Sequence, residues 1–105
     1  MVVKTNVEKD GTVVLVLTED GLDRANAFEF REAAIQAISA AAGRVEVDCT
    51  LLEFIDSSGV GALLHTHNNL PEDRRPVRLV GVGSKVLTIL ELMQVHRLFE
   101  LEPRK

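Results

Sequence analysis

The chain has no tryptophan and no tyrosine, and its 105 residues include four phenylalanines, three prolines and one cysteine, Cys49. A single cysteine excludes an internal disulfide framework and a cysteine-rich zinc site. So few aromatic rings leave little on which nucleic-acid bases could stack. Lys and Arg number 12 against 16 Asp and Glu, and the resulting net charge of −4 is opposite to that of a typical nucleic-acid binder. We therefore expect no nucleic-acid partner.

Long apolar runs are also missing from the sequence. No stretch reaches the roughly 18 apolar residues of a membrane-spanning helix, and Met1–Lys9 alternates apolar and polar residues without the apolar core of a signal peptide. Hydrophobic residues still make up 46% of the chain, which at this length supports one core without metal or disulfide staples. We expect a single domain over residues 1–105 that is cytoplasmic and has no membrane contact, metal or cofactor.

Strand and helix patterns alternate along the chain. Val2–Glu8 and Val13–Leu17 flank an Asp-Gly turn and predict a β-hairpin, and the five aliphatic residues of its second strand predict burial on both faces. Further strand patterns are Arg44–Cys49, Val77–Val82 and Leu98–Leu101, and helical patterns are Phe28–Ala42, Ser57–Leu70 and Ser84–Met93. This order predicts an α/β fold, a mixed central sheet of four to five strands with helices packed on it.

Residues suited to helix ends accompany these patterns. Either Asp23 or Asn26 is expected to cap the first helix, and Gly43 to follow its last turn. Asp56 and Ser84 are expected to cap the second and third helices. Between the helices, Glu19–Asp23 is predicted to be a polar loop and Leu51–Ile55 a buried connection.

Motifs for nucleotide binding and nucleophilic catalysis are incomplete. The Gly-x-Gly patterns at Gly59 and Gly81 lack the third glycine of the dinucleotide fingerprint, and there is no Walker motif. No Gly-x-Ser-x-Gly elbow is present. His65 and His67 are two positions apart on a predicted helix, so they point to different faces and do not form a metal site.

Three carboxylates leave one enzymatic alternative open. Asp23, Asp48 and Asp56 each lie at or just after a predicted strand, at the sheet edge where functional groups collect in open α/β folds. Together they could bind Mg²⁺. The competing interpretation is that Asp23 and Asp56 are helix caps.

The most specific local pattern is Asp56-Ser57-Ser58-Gly59. With Asp56 as the cap, the two serines occupy the first helical turn, near unpaired N–H groups and the positive end of the helix dipole. A phosphate is tolerated at such a position and adds about −1.5 to −2 charge beside Asp56. The physics fits a phosphorylation switch and plain double capping equally well.

At this motif the sequence resembles the STAS domain family and, within it, the bacterial anti-sigma factor antagonists. The stretches that carry the resemblance are Val45–Asp48, Phe54–Leu64, Leu79–Val82 and Leu90–Phe99. The resemblance implies a non-enzymatic regulator of transcription that works by partner switching. An anti-sigma factor serine kinase binds the unphosphorylated form and releases its sigma factor, phosphorylation of Ser57 ends the complex, and a serine phosphatase restores it.

Residues at and near this motif are expected to contact the partner. The candidate partner-binding residues are Asp23, Asn26, Asp56, Ser58, Gly59 and Val60. The chain is expected to be a monomer or a weak homodimer, with Val86, Leu90 or Met93 of the third helix as candidate dimer contacts. An alternative is a STAS module without a phosphorylation switch, either a scaffold in a signalling particle or a transporter-associated subunit.

Three departures from the family pattern bear on partner identity. The usual Gly-Glu-Leu/Ile-Asp after the second strand is replaced by Asp20–Asp23, and a glycine common before the final strand is replaced by Gln94. The Gly-rich loop after the second helix is here Pro71–Pro76. Since surface loops set the choice of partner, these changes affect specificity more than fold.

Overall fold

The computed structural model describes residues 1–104. Its strands are β1 (Val3–Val7), β2 (Val13–Leu17), β3 (Gly21–Leu22), β4 (Val45–Asp48), β5 (Phe54–Ile55), β6 (Arg78–Val82) and β7 (Glu100–Pro103). Five of them form a central sheet in the order β1-β2-β4-β6-β7. The β1–β2 hairpin is antiparallel and the other neighbours are parallel. The predicted α/β fold with a mixed central sheet is confirmed.

Three helices complete the fold: α1 (Ala27–Ala40), α2 (Ser57–Asn68) and α3 (Ser84–Leu92). Helices α1 and α2 pack against each other. Alternate strand residues enter the core, among them Val13, Leu15 and Leu17 on β2. Their neighbours Val14 and Val16 are only half-buried, so the prediction that β2 is buried on both faces holds for one face.

A second, two-stranded parallel sheet is the main feature that the sequence patterns did not predict. Strand β3 falls in the predicted polar loop and β5 in the predicted connection, and they pair through Gly21 with Phe54 and Leu22 with Ile55. Each strand is two residues long, too short for any periodicity to reveal it.

Two predicted helix ends are wrong in detail. Helix α1 ends before an extended Ala41, while Gly43 lies in the following loop against Gly11, whose backbone would clash with a Cβ at position 43. Gly43 therefore allows two backbones to approach and does not cap the helix. Ser84 is the first residue of α3, and Gly83 occupies its N-cap position.

The C-terminal elements also differ from the prediction. Helix α2 ends at Asn68 and β7 begins at Glu100, after a 3₁₀ turn at His96–Leu98. On α3, Val86 and Leu90 are 1% and 0% exposed. Their predicted availability for a dimer contact is therefore wrong, because both face the core.

Gln94 follows α3 in a left-handed conformation, with φ of 60°. Its N–H donates to Glu91 O and the next N–H, of Val95, donates to Leu90 O, which is how a helix closes on a left-handed residue. Glycine is the residue that adopts this conformation without strain, so Gln94 holds a conformation that costs it free energy.

We expect Gln94→Gly to raise the free energy of unfolding by about 0.5–1 kcal/mol, since relief of the left-handed strain exceeds the added entropy of the unfolded chain. Urea unfolding of the variant and the wild type measures the difference. Gln94→Ala is the matched control because it removes the side chain and keeps the strain. Equal stability of Gln94→Gly and Gln94→Ala would contradict this explanation.

Candidate functional site

The second sheet brings the starts of two helices side by side. Strand β3 leads through residues 23–26 into α1, and β5 leads through Asp56 into α2. Because β3 and β5 are parallel and paired in register, their carboxyl ends lie together. The two loops that carry the candidate site residues therefore meet at one edge.

Asp56 links these two loops. It is the N-cap of α2, as predicted, and its Oδ1 accepts a hydrogen bond of 2.9 Å from the Gly59 N–H. Its Oδ2 accepts a second bond, of 3.0 Å, from the backbone N–H of Arg24 in the other loop. The bond from Gly59 is the main reason that the pKa of Asp56 lies below its ordinary value, so the carboxylate is ionised at neutral pH.

Asn26 and Asp23 hold the loop before α1. The Asn26 side-chain oxygen accepts from the Asp23 N–H at 2.9 Å, and its side-chain nitrogen donates to Gly21 O at 2.8 Å. The Asp23 carboxylate accepts from the Ala25 N–H. Asn26 occupies the N-cap position of α1, as predicted, but its side chain makes no hydrogen bond to the N–H groups of the first turn. The predicted position is therefore correct, and the predicted capping hydrogen bond is not formed.

Gly59 and Val60 are buried residues of the first turn of α2. Val60 is 0% exposed, and a Cβ on Gly59 would meet the Leu22 carbonyl oxygen and come within 2.6 Å of Ile55 Cγ1. Neither residue offers a side chain to a partner. The prediction that they bind a partner directly needs correcting, because their role here is to seat α2 against β3 and β5.

The two serines differ in exposure. Ser57 is exposed and Ser58 is half-buried. Asp56 alone supplies the side-chain cap, and neither serine hydroxyl is hydrogen-bonded within residues 1–104. Double capping is therefore absent from the described part of the chain, and the Ser57 hydroxyl is available to solvent.

A groove of about 590 Å³ runs between α1 and α2 and begins at Ser58. Its apolar wall includes Phe28, whose side chain is 70% exposed. Gly61 forms part of the lining, and a Cβ there would meet nothing within 4 Å. Arg24 and Arg31 supply charge. The sequence patterns did not reveal this groove, since it depends on how two helices pack.

The proposed magnesium cluster does not form. Asp48 lies on β4 and binds the Thr50 hydroxyl at 2.6 Å, whereas Asp56 binds the helix start and the Arg24 loop. Within residues 1–104, no three His, Cys, Asp or Glu side chains are grouped to hold a metal ion. The hypothesis of a Mg²⁺ enzyme built on these carboxylates is therefore not supported.

The single thiol is also unsuited to chemistry. Burial raises the pKa of Cys49 to about 12, so the reactive thiolate is scarce at neutral pH.

In the described range, no helix is long and apolar enough to cross a membrane.

The fold and the site together define a small α/β domain with an exposed serine at a capped helix start. The family model described as "Mlab, STAS domain" matches residues 5–101, and the chain belongs to the STAS domain family. No curated protein matches the sequence.

Several solved structures share the fold. An anti-sigma-factor antagonist (STAS) domain protein from Planctomyces limnophilus superposes with a TM-score of 0.85 at 17% identity, covering 98% of this chain and 91% of that one. An anti-sigma factor antagonist from Mycobacterium paratuberculosis gives 0.81 at 22% identity, covering 96% and 86%. The Bacillus cell fate determinant SpoIIAA in its phosphorylated form gives 0.70 at 21% identity, covering 94% and 89%.

Proposed function

We propose that this protein is an anti-sigma factor antagonist that works by partner switching, with Ser57 as the phosphorylated residue. The observation that carries the proposal is the exposed, unbonded hydroxyl of Ser57 at the start of a helix whose cap is already supplied by Asp56. Supporting it, similar folds occur in anti-sigma factor antagonists, one of them solved in a phosphorylated form.

A phosphate on Ser57 would change the surface without unfolding the domain. The helix start supplies N–H groups and a positive dipole end that favour an anion. The ionised Asp56 stands next to it in sequence, so the local charge becomes strongly negative. With about −2 added to −4, the net charge becomes about −6. A partner that docks on this surface is then repelled and must desolvate a dianion.

As an antagonist of this kind, the chain is a ligand and a substrate of other proteins, and not an enzyme. Its partners are an anti-sigma factor serine kinase and a serine phosphatase that acts on the phosphorylated form. Asp23 and Asp56 shape the surface that the kinase binds, and Ser58 lies within it. We propose that the protein acts in the cytoplasm as a monomer or weak homodimer.

Size-exclusion chromatography with a purified anti-sigma factor kinase, beginning with any encoded beside this gene, tests the proposal. We expect a stable complex without ATP, and its dissolution with ATP as the chain gains the mass of one phosphoryl group. A complex that persists after addition of ATP, with no gain in mass, would favour the alternative of a STAS scaffold or transporter-associated subunit. A kinase-dead variant is the control that separates nucleotide binding from phosphoryl transfer.

A further inference from the structure

We propose that the groove between α1 and α2 is the docking site for an acidic segment of the partner that carries one bulky apolar side chain. This inference rests on the proposed function, because it names the chemistry by which the partner binds beside the phosphorylated serine. The docking surface then includes the groove along α1 and α2 as well as the start of α2.

The charge of the groove is opposite to that of the whole chain. The chain carries −4, yet the groove lining contains Arg24, Arg31 and His65 and no Asp or Glu. Neither arginine belongs to an ion pair within residues 1–104. Unpaired cations that line an apolar groove favour carboxylates on the partner, through complementary potentials and bidentate hydrogen bonds.

Arg31 carries a further sign of an unmet interaction. Its Nε is buried and has no hydrogen-bond partner among the described residues. Leaving a buried donor unpaired costs free energy, and a guanidinium has five donors arranged to meet a carboxylate. Since Arg31 lines the groove, a carboxylate there can pair with its guanidinium, whereas a basic or purely apolar segment cannot.

The apolar part of the groove fits one large side chain. Phe28 is 70% exposed and lines the groove together with Ala62, Leu64 and Gly61. A Cβ at Gly61 would meet nothing within 4 Å. Aromatic side chains, Phe among them, are enriched at protein interfaces relative to the rest of the surface. The groove is open and has a volume of about 590 Å³, so a partner side chain can lie in it without being enclosed.

The groove is continuous with the phosphorylation site. Ser58 lines its end, Ser57 precedes Ser58, and the Arg24 backbone is hydrogen-bonded to Asp56. A dianion on Ser57 therefore offsets the positive charge of the groove and repels an acidic segment. The same charges that recruit the partner make its binding sensitive to one phosphate.

Kinase affinity, measured by calorimetry with the full chain, tests the groove. We expect Arg24→Glu/Arg31→Glu to weaken binding by about ten-fold or more, and Phe28→Ala to weaken it comparably while leaving stability unchanged. Lys9→Glu/Arg97→Glu is the matched control, since both residues are exposed and lie outside the groove, and the double change alters the net charge by the same amount. Wild-type affinity in both groove variants would overturn the inference and leave partner switching intact.

A selection of short random peptides displayed on phage tests the chemistry without any kinase. We expect the wild-type chain to enrich acidic peptides with one bulky apolar residue, and their binding to be lost in Arg24→Glu/Arg31→Glu and kept in Lys9→Glu/Arg97→Glu. Enriched peptides that are basic or that bind the charge-reversed variant equally well would overturn the inference, as would no enrichment at all. If peptides bind as expected but no kinase does, the groove proposal stands and the proposed function fails.

Discussion

Replacing Gly59 with alanine is expected to lower the free energy of unfolding by about 2–3 kcal/mol, the upper part of the range for overpacking a tight core. The added Cβ would meet the Leu22 carbonyl oxygen and lie 2.6 Å from Ile55 Cγ1. The Leu22 backbone belongs to β3, which is held by β5 and by the Asp56 N–H. It therefore has little freedom to move, and α2 must tilt away from the second sheet.

Gly61→Ala is the matched control, because the same methyl group is added two residues further along the same helix. There the Cβ meets nothing within 4 Å, and alanine is favoured over glycine in a helix by about 0.5–1 kcal/mol. We expect the two variants to change stability in opposite directions in urea unfolding monitored by circular dichroism. If Gly59→Ala and Gly61→Ala both raise the free energy of unfolding, then Gly59 does not lie as close to β3 as described.

The contrast between these glycines also separates fold from function. Gly59 is the residue of α2 that lies against β3 and β5, whereas Gly61 lines the groove. Gly61→Ala therefore makes a more stable domain with less room for a partner side chain. If Gly61→Ala raises stability and lowers affinity for the partner, the loss of affinity cannot come from damage to the fold. It would show that the groove itself binds the partner.

How much of this fold is visible in the sequence depends on the length of each element. Strand β4 alternates buried and half-buried residues, and the helices carry enough turns for their periodicity to show. The hairpin is marked by its Asp-Gly turn. By contrast, β3 and β5 have two residues each and pair across more than thirty positions of sequence. Their pairing comes from tertiary packing, so no local pattern could reveal it.

In the candidate site, too, local features could be predicted from the sequence and features that depend on tertiary packing could not. The cap role of Asp56 follows from residue type and position, and the structure confirms it. The bond from Asp56 to the Arg24 N–H spans two loops and depends on the hidden β3–β5 pairing. Similarly, Val60 looks like part of a surface motif in the sequence but is 0% exposed. A motif shows which residues occur together, and only packing decides which of them face solvent.

Ser57→Ala is expected to abolish phosphorylation by the kinase, and Ser58→Ala to leave it intact. Ser57 is the exposed serine, whereas Ser58 is half-buried at the end of the groove, so a kinase reaches the first hydroxyl more readily. Mass spectrometry of each variant after incubation with kinase and ATP measures the transfer. Phosphorylation of Ser57→Ala at the wild-type level would place the acceptor elsewhere.

Ser57→Asp then tests whether charge alone ends the complex. We expect kinase affinity to fall by about ten-fold or more at low salt, less than with a phosphate because an aspartate carries about half its charge. Ser57→Asn is the matched control, since it has nearly the same shape and no charge. Because exposed charges are screened by salt, the difference between Asp and Asn should shrink as ionic strength rises. Equal loss in both variants would mean that size, and not charge, disrupts the interface, and the switch would then act by steric exclusion.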